Sequence, residues 1–129
     1  MMAHSLRPGI PGSRTLVSLP RLVVVLRSIL QRRLVDVSER LKRARADLAV
    51  SEEQSAFFED EAEDARLRAL MAETPIADVE ARDARRDADA QARHRDDLRR
   101  TVAELVHQQD HLLDGISAEL AGDVTTPTG

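Results

Sequence analysis

The chain has 129 residues and a formal net charge of −4, and its 42% apolar content comes mostly from alanine, leucine and valine, with Phe57 and Phe58 as the only aromatics. That length allows one domain at most, and the shortage of bulky side chains excludes a large globular core. The absence of cysteine excludes a disulfide framework, a thiolate zinc site and a cysteine nucleophile.

Charged residues make up 33% of the chain, and alanine, leucine, glutamate, aspartate and arginine dominate, which is the bias of long helices and coiled coils. Arginine outnumbers lysine 18 to 1, a ratio that reads as GC-rich coding rather than a need for bidentate recognition. Residues 1–45 carry ten Arg or Lys against Asp36 and Glu39, whereas the remainder carries nine against 21 Asp or Glu. The chain is basic first and then acidic.

Residues 1–20 contain three prolines and two glycines without a sustained period, so they read as a disordered arm. The apolar run Leu22 to Leu26 is bracketed by Arg21 and Arg27 and is far shorter than the roughly 20 residues needed to cross a membrane. A signal peptide is disfavoured by Pro20 and Arg21 and by the lack of a small-x-small cleavage site. Leu22, Val23, Leu26, Leu30, Leu34, Val37 and Leu41 fall on one helical stripe, which makes residues 21–35 a basic amphipathic segment. This segment has three readings: an extension of the following helix, a contact for nucleic acid or an anionic membrane, or a stretch upstream of a native start near Val35 or Val37.

Asp36 and Glu39 have the spacing of a capping box, so the first coiled-coil helix is expected over residues 36–73. Thr74 and Pro75 interrupt it. Proline disfavours helical geometry in the residue before it and fits the first turn of a new helix, while Thr74 suits an N-cap and Asp78 the positive helix start. The expected order is therefore a turn at 74–75, a second coiled-coil helix over 76–121, and a disordered tail over 122–129 beginning at the capping Gly122.

Within the first helix Leu34, Val37, Leu41, Ala44, Leu48, Ser51, Ser55, Phe58, Ala62, Ala65, Ala69 and Ala72 alternate steps of three and four. In the second, Ala77, Ala81, Ala84, Ala88, Gln91, Arg95, Leu98, Val102, Leu105, Gln109, Leu112 and Ile116 do the same. Both are coiled-coil seams. Alanines lie nearest the turn on both sides, a polar zone follows, and leucines and valines lie farthest away, so an antiparallel hairpin matches like with like. The register that places Phe58 against the small Ala88 is preferred to one that places it against Arg95.

Phe57 is one helical step, about 100°, away from Phe58 and so leaves the seam. Together with Leu67, Leu70 and Met71 it defines an outward apolar face, the candidate interaction site. Burying a leucine or phenylalanine contributes about 1.5–3 kcal/mol, whereas alanine adds little more than one methyl, so an isolated hairpin with an alanine seam is marginal. Self-association is expected, most simply a dimer of hairpins forming a four-helix bundle.

No catalytic, cofactor or metal site is assigned. Glu104, His107, His111 and Asp114 share one helical stripe, but at outer heptad positions, so they read as a solvated face. The acidic clusters lack an apolar pocket that would separate their pKa values, and the chain has neither a glycine-rich phosphate loop nor a Gly-x-Ser-x-Gly elbow. Nucleic-acid binding would rest on the N-terminal arginines with Arg40, Lys42, Arg43 and Arg45, without aromatic stacking platforms.

The central run "RADLAVSEEQSAFFEDEAEDARLRALMAETPIADVEARDARRDADAQARHRDDL", from Arg45 to Leu98, resembles short uncharacterised coiled-coil proteins of actinobacteria. The resemblance implies a helical hairpin and a bacterial cytoplasm, and it transfers no functional residue. These readings converge on an all-α, antiparallel coiled-coil hairpin, a non-enzymatic cytoplasmic scaffold or adaptor that works through protein contacts.

Overall fold

The computed structural model describes the backbone of residues 9–125 and the side chains of residues 21–121. Helix α1 spans Gly9–Ala72 and helix α2 spans Pro75–Thr125, with Glu73 and Thr74 between them. Among the described residues there is no strand, and the two helices pack against each other as an all-α hairpin. By contact, the chain divides into one unit of Ser38–His107 and a second built from the described parts of Met1–Val37 and Gln108–Gly129.

The turn forms for local reasons. Glu73 adopts a left-handed φ of 51°, and its N–H donates to the Ala69 carbonyl at 3.1 Å, which closes the end of α1. Thr74 caps α2, its Oγ1 accepting from the Ala77 N–H and its carbonyl from the Asp78 N–H, both at 3.2 Å. Pro75 is the first residue of α2, where a missing N–H costs nothing, and Asp78 lies in the positive first turn. The turn thus occupies residues 73–74 rather than 74–75.

The helix ends differ more. α1 does not start at Asp36 but passes through it from Gly9, so the part of the expected arm from residue 9 onward is helical and residues 1–8 lie outside the described residues. Pro11 falls within the first four positions of α1, whose N–H groups have no intrahelical acceptor, and Pro20 removes a single bond from a 64-residue helix. At the other end α2 continues through Gly122 to Thr125, so only residues 126–129 of the expected tail lie outside the described residues.

Of the 24 seam positions, Ala72 alone is exposed, and it is the last residue of α1. In the unit of Ser38–His107, Leu41, Ala44, Ser51, Ser55, Ala62 and Ala65 of α1 are buried, as are Ala77, Ala88 and Leu105 of α2. In the other unit Val37 is buried, and a Cβ placed on Gly115 would lie 3.8 Å from Leu30 Cδ1, an ordinary packing distance. The expected stripe of α1 divides within that unit. Leu30 and Leu34 are half-buried, whereas Leu22, Val23 and Leu26 are exposed.

Candidate functional site

Polar contacts set how the helices meet in the unit of Ser38–His107. Arg85 donates from Nη1 and Nη2 to the two Glu59 carboxylate oxygens at 2.8 and 2.6 Å, and from Nε to Asp89 Oδ1 at 3.1 Å. Arg95 donates from Nη1 to Ser55 Oγ at 3.2 Å and also holds Asp96, while Arg99 lies 3.6 Å from Glu52. Moving from Glu59 through Ser55 to Glu52, the partners advance from Arg85 through Arg95 to Arg99, which is the order of antiparallel helices. Phe58 lies between the first two contacts in α1, so the facing stretch of α2 is 85–95. Within it Ala88 is fully buried, at 0% exposure, and the Arg95 guanidinium is engaged by Ser55 and Asp96.

The same contacts tune the carboxylates. The Arg85 hydrogen bonds hold Glu59 below its ordinary value of 4.5, and Glu59 in turn raises Arg85. Within α1, two hydrogen bonds from Arg66, at 2.7 and 3.1 Å, lower Glu63 in the same way. These groups stay charged at neutral pH and act as struts.

The outward apolar face has the exposure expected of it. Phe57 is 59% exposed, Leu67 45%, Leu70 62% and Met71 86%. Phe57 is not wholly detached from the seam, however. Its ring meets the half-buried Phe58 edge-on, with centroids 5.7 Å apart and planes at 89°, an arrangement that contributes about 0.5–1.5 kcal/mol beyond area burial. Two residues beyond the turn, Ile76 and Val79, are exposed as well. They step off the seam on either side of Ala77, and that position in the heptad was the available signal.

Leu70 also lines a shallow groove of about 440 Å³ with Arg66, Ala69, Asp78, Ala81 and Arg82. A neighbouring groove of about 290 Å³ shares Arg66, Ala81 and Arg82. Both follow from alanine in the seam, whose short side chains leave space beside the helix contact. The histidine stripe is dispersed in solvent: Glu104, His107, His111 and Asp114 are all exposed. Among the described residues no group of three or more His, Asp or Glu side chains is placed to hold a metal ion, and no helix is long and apolar enough to cross a membrane. Comparison with known proteins finds no matching family model, no matching curated protein and no matching solved structure.

Proposed function

We propose that the chain is a non-enzymatic coiled-coil scaffold or adaptor that associates with a second copy through the face formed by Phe57, Leu67, Leu70 and Met71. The observation that carries this reading is the exposure of four large apolar side chains on α1, three of them, Leu67, Leu70 and Met71, next to a turn whose own seam is alanine. Alanine burial gives the hairpin little stability near the turn, and covering this face with the same face of another hairpin adds the missing apolar burial. A four-helix bundle is the simplest closed assembly of two hairpins. Other protein partners would use the same face in place of the second copy.

Sedimentation equilibrium at tens of micromolar tests the reading. The intact chain is expected to show a concentration-dependent dimer, Phe57→Ser with Met71→Ser to weaken it by about tenfold or more, and helicity to remain high in both. A strictly monomeric and fully helical chain contradicts it.

A further inference from the structure

The part of α1 before Val37 carries an apolar surface of a different character. Leu22 lies three and four residues before Val25 and Leu26, and these lie four and three before Ile29, so the four form one stripe along the helix, and all four are exposed. Continuing the same stripe, the next positions are Arg32 and Arg33, and Arg21 precedes it, all three also exposed. Leu30, which lies against Gly115, and Leu34 are half-buried instead. The stripe is therefore left over after the hairpin seam has formed.

Charge identifies what covers it. Residues 1–35 contain six arginines and no aspartate or glutamate, in a chain whose remaining 94 residues carry 13 basic and 23 acidic groups. We infer that this stripe binds an anionic lipid surface, with Leu22, Val25, Leu26 and Ile29 entering the headgroup–acyl boundary and Arg21, Arg32 and Arg33 reaching lipid phosphates at either end. Arginine suits this placement because its stem lies along apolar surface while its guanidinium remains at the phosphate level. Helices that lie in the interface combine these two attractions, apolar burial and electrostatic attraction to anionic headgroups. One carboxylate, Asp36, follows Arg32 and Arg33 on the stripe at its Val37 end, and the other described acidic residues of the same unit, Asp110, Asp114 and Glu119, belong to α2. Those on α2 favour approach from the α1 side. None of the stripe's residues belongs to the Phe57 face, so membrane attachment goes beyond self-association and does not depend on it.

Cosedimentation of the full chain with phosphatidylcholine vesicles, with and without phosphatidylglycerol, tests this. Binding to the anionic vesicles is expected to exceed binding to neutral ones by about tenfold or more, and to fall when salt rises from about 50 mM to about 500 mM. Val25→Asp with Ile29→Asp should abolish it, R32Q with R33Q should reduce it strongly, and R32K with R33K should largely preserve it. These positions are exposed, so circular dichroism should show unchanged helicity. Equal binding to both vesicle types, no binding to either, or retention on duplex DNA without retention on vesicles would overturn the inference. So would loss of self-association, rather than of vesicle binding, in the aspartate variants, because a second copy would then be the occupant.

Discussion

Arg95 donates a hydrogen bond to Ser55 Oγ at 3.2 Å across the hairpin, so the seam is bridged by a polar pair where a leucine layer would otherwise interdigitate. Polar seam residues generally cost stability and gain register. Arg95→Leu is accordingly expected to raise the unfolding free energy by about 1 kcal/mol or more while broadening the distribution of assembled species. Urea melts followed by circular dichroism, paired with sedimentation velocity, measure both. A lower midpoint with a single sharp species would show that the arginine stabilises rather than specifies.

Ser51 sits one turn farther from the hairpin turn, is 2% exposed, and its hydroxyl has no hydrogen-bond partner. An unsatisfied buried hydroxyl costs about 1–3 kcal/mol, and alanine is also the better helix former. Ser51→Ala should therefore stabilise the hairpin by about 1–2 kcal/mol in the same melts. A loss of stability would mean that the hydroxyl is satisfied in solution by bound water.

Glu73 holds a left-handed backbone conformation with a side chain that disfavours it. Glycine removes that steric cost, of about 1–2 kcal/mol, but gives back part of it through a more flexible unfolded chain. The expected net gain for Glu73→Gly is about 0.5–1 kcal/mol, whereas Thr74→Ala, which removes the N-cap, should cost about 1 kcal/mol. Opposite signs at adjacent positions are the diagnostic result in thermal melts.

Acid should loosen the cross-helix strut. The Glu59 carboxyl is held below 4.5 by its hydrogen bonds from Arg85, so its contribution is present above pH 4.5 and is lost as the pH falls through the lower folded value. Glu63, held down by Arg66, contributes with the same sign. Melting midpoints measured from about pH 6 to about pH 3 should fall on the acid side, and Arg85→Gln should flatten that fall. An unchanged acid limb in the variant would mean that the Arg85–Glu59 contact does not persist in solution.

The hairpin was legible because a coiled-coil seam writes itself as alternating steps of three and four, and because Thr-Pro combines a stop with a start. Phe58 and Phe57 separated correctly into half-buried and exposed positions on the 100° step alone. The helix ends were not legible. Prolines in the first turn of a helix cost little, and a glycine such as Gly122 continues a helix where the surrounding residues favour it, so neither residue type marks an end by itself. Nor did periodicity tell that Leu22 and Leu26 remain exposed while Leu30 and Leu34 do not. The repeat is the same along the stripe, and what distinguishes them is whether α2 packs beside them, as it does beside Leu30 at Gly115.

The dimer of hairpins is tested most directly by crosslinking, since the native chain has no cysteine and each introduced thiol is the only one present. Met71→Cys and Leu67→Cys lie on the proposed face, and Arg93→Cys is an exposed control on α2. Under mild oxidation the two face variants are expected to form covalent dimers rapidly at a protein concentration where the control stays monomeric. Equal crosslinking at all three positions, or crosslinking by the control alone, would contradict association through the Phe57, Leu67, Leu70 and Met71 face.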